Sequence, residues 1–331
     1  MFRMSQRDRL WRQVLVAVVV LVMADQAAHW FGLPRAAGLL CLTGLGSLVV
    51  CARLGWRQAG LGVLGLALLT VPAALSQNDS LAATLVMTLA AFALGLSARW
   101  QLQQVYWLMI VSLCLLITNT PLAAAPPALD LARLASAVLF CGGLAILLQS
   151  RLSPREQVAV SATAFPVAHS WRRSVGYGVL LASATLVSTP IALQNRWHIS
   201  GLWLILTPFL VLRPFVRDTW RVALHRCLGT LAGVLLVMLL AAVWPRELPL
   251  PLLAILLGVT TVLIAVRHGH PALLVMALTA TIVLFNSNPS DLTGMADRRL
   301  QANAIGITIA LAVMAVAHPI ERSWLLRRAR D

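Results

Sequence analysis

The amino-acid sequence predicts an all-α, polytopic membrane protein of about twelve transmembrane helices in two parallel six-helix repeats. Three observations carry this. Hydrophobic residues make up 60% of the chain and charged residues only 11%, where a soluble domain carries roughly 25% charge. That leaves too little polar sequence to clothe a surface facing water, so lipid is the solvent for much of it. The apolar residues also gather into runs of bilayer-crossing length, and several features of the first half recur in the same order in the second.

The first six runs are Gln13–Phe31, Ala36–Ala52, Gln58–Leu75, Ser80–Ala98, Gln104–Ala123 and Leu131–Gln149. A polar stretch, Ser150–Arg173, separates them from Ser174–Leu193, Ile199–Leu212, Val222–Trp244, Pro249–Val266, Pro271–Phe285 and Leu300–His318. The expected organisation is a first repeat over residues 1–149, a cytoplasmic linker over 150–173, a second repeat over 174–320 and a basic tail over 321–331. Each run is expected to be a helix. Unpaired backbone groups are too costly in hydrocarbon, and the runs are too long and uniformly apolar for barrel strands. Arg3, Arg7, Arg9 and Arg12 before the first run resemble the start of a secretory signal, but the spans that follow favour an uncleaved first helix.

The net charge is +15, and all 26 basic residues are arginine. They are scattered between apolar runs without a continuous basic face, which disfavours nucleic acid as a partner. Placing the amino terminus in the cytoplasm puts 20 arginines inside and 6 outside. The positive-inside bias then predicts that both termini are cytoplasmic. Ten of the eleven tryptophans fall near run ends, where an indole prefers to sit.

The recurrence between the halves is specific in its details. Arg57-x-x-Gly60 opens the third run and Arg226-x-x-Gly229 the ninth. His29 and His198 precede these arginines by equal distances, and each is followed by Gly-Leu three residues on. Thr118-Asn119-Thr120-Pro121 answers Asn286-Ser287-Asn288-Pro289, and Arg133-Leu134 answers Arg299-Leu300. Six spans per half is even, so the repeats would be parallel.

Several residues could carry chemistry. Asp25 is the carboxylate well inside a run, and His29 follows on the same helix face. A charged Asp in the bilayer must face a cavity or a partner. The pair is either a proton relay or an interfacial contact near the outer surface. Arg133 and Arg299 open the sixth and twelfth runs on the side where arginine is least expected. They either line an anion path, gripping carboxylates with planar forks, or pair with Asp130 and Asp297 just upstream. Arg57 and Arg226 have the same two readings, with the cytoplasmic bias favouring a topological role. Thr207-Pro208, Pro190, Pro72 and Asn286–Pro289 could break spans and expose backbone groups to substrate, or simply kink them, and Asn119 and Asn286 are further candidates along the anion path. The five cysteines lie in or beside apolar runs with no CxxC pair, so neither a disulfide frame nor a metal site is expected. No HExxH, GxSxG, Walker A or dinucleotide fingerprint occurs. Catalysis and a cofactor are therefore not expected.

The run Trp203, Thr207, Arg213-Pro214, Arg226, Gly229-Thr230, Gly233, Arg299 and Gly306 resembles the fusaric acid resistance and aromatic acid exporter family of bacterial inner-membrane proteins. The resemblance covers roughly residues 172–320. It implies efflux of aromatic carboxylic acids driven by protons, a periplasmic adaptor as partner, and assembly of six-span units, as in related plant anion channels that form dimers. On this basis the expected cargo is a small organic anion and the expected surroundings are the lipid bilayer. A homo-oligomer is a further expectation. A passive anion channel and a non-transport membrane scaffold or enzyme are the alternatives.

Overall fold

A computed structural model describes residues 6–77, 79–100, 102–118, 128–152, 171–194, 199–213, 216–243, 270–286 and 292–328, with single positions between 253 and 264. Among the described residues the chain is helical throughout, without a strand. The helices are α1 (Gln6–Trp30), α2 (Ala37–Leu54), α3 (Trp56–Leu75), α4 (Ser80–Leu96), α5 (Gln103–Thr118), α6 (Ala128–Leu152), α7 (Trp171–Gln194), α8 (Ile199–Val211), α9 (Val216–Val243), α10 (Pro271–Asn286) and α11 (Leu292–Arg328).

These helices coincide with eleven of the runs read from the sequence; the tenth, Pro249–Val266, lies almost wholly outside the described residues. Among the described residues, seven stretches are long and apolar enough to cross a membrane: Pro34–Ala52, Trp56–Leu75, Ser80–Trp100, Ala128–Arg151, Trp171–Gln194, Thr219–Leu240 and Thr293–Ala317. Four apolar stretches are shorter, namely Val14–Trp30, Met109–Thr118, Ser200–Val211 and Pro271–Thr281. The chain is a multi-pass membrane protein on this evidence.

Local chemistry sets the helix ends. α1 stops at Gly32, whose φ of +70° suits a residue without Cβ, and the Leu33 N–H reaches back to the Ala28 carbonyl at 2.7 Å. Gly55, at φ +89°, separates α2 from α3. Asp79 caps α4, its carboxylate accepting from the Leu81 N–H at 2.9 Å and the Ala82 N–H at 3.3 Å. Inside the helices, hydroxyls are satisfied by the preceding turn, as when Thr43 donates to the Leu39 carbonyl and Ser47 to that of Thr43.

The chain divides into two compact units, residues 1–190 and 191–331, the boundary falling inside α7. In the first unit α2 packs against α1, α3, α5 and α6. α4 and α7 approach closely enough that a Cβ on Gly95 would collide with the backbone of Gly178. The polar stretch 153–170 lies outside the described residues.

In the second unit, α11 packs on α8 and α9, and α9 on α10. Glycines allow this. A Cβ on Gly229 would stand 2.6 Å from the Ala272 carbonyl oxygen, and one on Gly233 the same distance from that of Met276. One on Gly306 would meet Thr207 Cβ at 2.7 Å. Without these glycines α9 could not approach α10, nor α11 approach α8, at this separation.

Candidate functional site

The second unit encloses two arginines that have no carboxylate partner among the described residues. Each is placed by helical periodicity. On α11, Ala296, Arg299, Asn303, Gly306 and Ala310 recur at three- and four-residue steps, and all five are buried. On α9 the buried series is Ala223, Arg226, Thr230 and Gly233. On α8, Trp203 and Thr207 stand one turn apart. Close packing through Gly306 brings Thr207 against α11. The Arg213–Thr219 turn sets the entry of α9, with the Arg213 N–H donating to Thr219 Oγ1 at 2.9 Å.

Arg226 is 6% exposed. Its Nε donates to Asn303 Oδ1 at 2.9 Å and its Nη2 to Thr207 Oγ1 at 3.3 Å. Asn303 Nδ2 donates in turn to Thr230 Oγ1 at 2.8 Å. The Thr207 hydroxyl lies 2.7 Å from the Trp203 carbonyl and 3.2 Å from Asn303 Oδ1, and its one proton serves either acceptor. Among the described residues the hydrogen-bond partners of Arg226 are neutral, so its charge has no counter-ion there.

Arg299 is 3% exposed and lies over the Trp203 ring, its guanidinium carbon 3.5 Å from the ring centroid. Among the described residues its Nε and Nη1 are buried without hydrogen-bond partners, and so is the Trp203 indole Nε1. Trp203 is the one tryptophan the sequence places away from a run end. The Arg226 guanidinium carbon is 6.0 Å from the same ring centroid. The two guanidinium groups therefore lie within about 10 Å of each other, where like charges repel by about 2 kcal/mol at an effective dielectric of 20.

Magnitudes separate the two arginines. An arginine at the centre of a spanning helix costs about 2.5–3.5 kcal/mol on the insertion scale. Arg226 lies about one turn from the midpoint of Thr219–Leu240, and Arg299 about one and a half to two turns from that of Thr293–Ala317, toward the end of its span where the cost is smaller. The two charge-assisted bonds of Arg226, worth about 1.5–3 kcal/mol each, offset its cost. Arg299 has only its stacking on Trp203, worth about 2 kcal/mol when desolvated. Its unmet N–H groups leave a deficit that an anion would relieve.

The other residues singled out by the sequence have different settings. Arg133 is exposed and donates through Nη1 to Asp130 Oδ1 at 3.2 Å. Arg57 is exposed over the Trp56 ring at 5.4 Å. Asp297 accepts from Gln301 Nε2 at 2.8 Å, and no ion pair joins it to Arg299 among the described residues. Asp25 and His29 both lie on the exposed surface of α1. Asn286 ends α10 and its side chain lies outside the described residues, as does Asn119 altogether. Cys51, Cys114 and Cys141 are buried and Cys227 is exposed; all described cysteines are free.

Arginines at matching positions of the two halves thus differ: Arg226 and Arg299 are enclosed, Arg57 and Arg133 exposed. The reason is in their neighbours. Carrying Trp203, Thr207 and Thr230 back by the offset relating Arg226 to Arg57, and Asn303 by that relating Arg299 to Arg133, lands on Pro34, Gly38, Leu61 and Ala137. None of these side chains offers a hydrogen bond or an aromatic face. Asn303 escaped the sequence reading; its signal was its place four residues after Arg299 in an apolar span.

Residues 179–313 match the family described as fusaric acid resistance protein-like, a segment holding every member of the Arg226–Arg299 cluster. No curated protein and no solved structure matches the chain.

Proposed function

We propose, on the premise that residues 179–313 belong to the fusaric acid resistance protein-like family, that this multi-pass membrane protein transports small organic anions through the Arg226–Arg299–Trp203 cluster. The observation that carries the reading is Arg299: a buried guanidinium inside an apolar span that, among the described residues, has two unmet N–H groups and no carboxylate partner. An anion fits all three conditions. The indole face of Trp203 and its unmet Nε1 add a flat surface and a third donor.

In this reading the cargo is an aromatic carboxylic anion moved out of a bacterial cell across the inner membrane. Twelve spans in two parallel repeats, with both termini cytoplasmic, form the frame. The family match and the arginine distribution support it. Asp25 and His29, one turn apart on α1, would couple transport to protons. Arg57 and Arg133, exposed at helix ends, would draw anions toward the protein. A periplasmic adaptor and a homo-oligomeric assembly are part of the same proposal.

The test is uptake of labelled benzoate and 4-hydroxybenzoate into proteoliposomes, with and without an imposed pH gradient. Accumulation that requires the protein and collapses in Arg299→Gln supports the reading. Protein-dependent flux that ignores the gradient points to a passive anion channel. Absence of anion flux under both conditions rejects transport of this class.

A further inference from the structure

The charge and donor inventory of the cluster says more about its ligand than that it is an anion. This step rests on the anion-transport reading above. Two guanidinium groups share one buried region, and every partner of either among the described residues is neutral. Arginine does not deprotonate in proteins, so two positive charges stand uncompensated. One negative charge can neutralise only one of them.

The unmet donors lead to the same conclusion by geometry. Arg299 lacks partners at Nε and at Nη1. In a guanidinium group the Nε–H points along the edge shared with Nη2, because Cδ occupies the side facing Nη1. A carboxylate that bridges Nη1 and Nη2 therefore leaves Nε–H bare, and one that bridges Nε and Nη2 leaves an Nη1 proton bare. Satisfying both requires acceptors on two edges. The Trp203 Nε1–H is a further unmet donor.

We infer that the site takes a small dianion with two separate acceptor groups, the dicarboxylate class, in preference to a monocarboxylate of the same body. One carboxylate sits on a guanidinium edge of Arg299. The second acceptor meets the other edge, and its charge balances Arg226, whose remaining N–H groups are not engaged by Asn303 or Thr207. Specificity follows from the penalty of leaving buried donors and charge unmet rather than from extra contact area.

The experiment measures binding to the full-length protein in detergent by calorimetry at pH 7.5. The three ligands share one ring: benzoate, isophthalate and the monomethyl ester of isophthalate. The ester keeps the second acceptor group and loses the second charge. Isophthalate should bind at least about tenfold more tightly than benzoate, a difference of about 1.4 kcal/mol, with the ester close to benzoate. Arg299→Gln should shrink the isophthalate-to-benzoate ratio to below about threefold, while Arg299→Lys, which keeps the charge, should retain the order. The wild-type comparison alone is decisive if a variant fails to fold. Benzoate binding as tightly as isophthalate, or the ester matching isophthalate, overturns the dianion assignment and leaves anion transport standing. No binding of any of the three, together with no protein-dependent flux in proteoliposomes, overturns both.

Discussion

The guanidinium carbon of Arg299 lies 3.5 Å from the centroid of the Trp203 indole, and among the described residues both side chains keep buried N–H groups without a partner. The ring supplies the electrostatic counterweight that holds a cation in an apolar span, and it does so without consuming the hydrogen bonds an anion needs. Removing the ring should therefore cost both stability and binding. Trp203→Leu is expected to weaken anion binding by about tenfold or more and to lower the melting temperature, with Trp203→Phe intermediate because its face is a weaker cation acceptor. Calorimetry and thermal unfolding check this. Unaltered binding in Trp203→Leu would sink the role of the ring.

Asn303 Oδ1 accepts from Arg226 Nε at 2.9 Å. Asn303→Asp places a carboxylate at that position and neutralises the cluster from within. Anion binding should fall at least about tenfold while the melting temperature holds or rises, since the buried charge gains a partner. Asn303→Leu should instead lower stability by about 1–3 kcal/mol, because Arg226 and Thr230 lose their shared partner. Normal transport by Asn303→Asp would show that the charge at Arg226 plays no part.

The exposed arginines make the contrasting prediction. Arg57→Gln and Arg133→Gln should slow anion uptake by no more than about twofold, and the effect should fade at high salt, as expected of surface steering. Arg226→Gln and Arg299→Gln should reduce uptake by about tenfold or more at any ionic strength. Initial uptake rates across a salt series separate the two behaviours. Equal losses in all four variants would contradict the assignment of the site to the second unit.

Gly306→Val and Gly233→Val should reduce the yield of folded protein and lower the melting temperature. The new Cβ would face Thr207 Cβ at 2.7 Å in one case and the Met276 carbonyl oxygen at 2.6 Å in the other. Overpacking of this kind costs about 1–3 kcal/mol. Gly65→Ala, where a Cβ meets nothing within 4 Å, serves as the neutral control. Size-exclusion profiles and thermal unfolding report the outcome, and a Gly306→Val protein as stable as the control would refute the close-packing account.

Asp25→Asn tests proton coupling. Uptake driven by a pH gradient should be lost, with expression and melting temperature preserved, since Asp25 is exposed on α1 and supports no packing. Retention of gradient-driven uptake would remove Asp25 from the coupling path.

The helices themselves were legible in the sequence. An apolar run in lipid must satisfy its own backbone, which leaves few choices of secondary structure, so α1–α11 lie where the runs lie. The family pattern was legible as well: Trp203, Thr207, Arg226, Thr230, Arg299 and Gly306 all stood out, and the structure gathers them with Asn303 into one unit. Only tertiary structure decided which arginines are buried. Arg57 and Arg226 occupy matching places in the repeat pattern, as do Arg133 and Arg299, and the arginine positions alone do not say which copy is buried. Burial depends on what the neighbouring helices present. In the second unit α8 and α11 offer an indole, a hydroxyl and an amide at the right height, while the corresponding residues of the first half are Pro34, Gly38, Leu61 and Ala137. Periodicity is a property of one helix; the partners that make a buried charge tolerable come from another, and their register is fixed by glycine contacts that no single-helix pattern reveals.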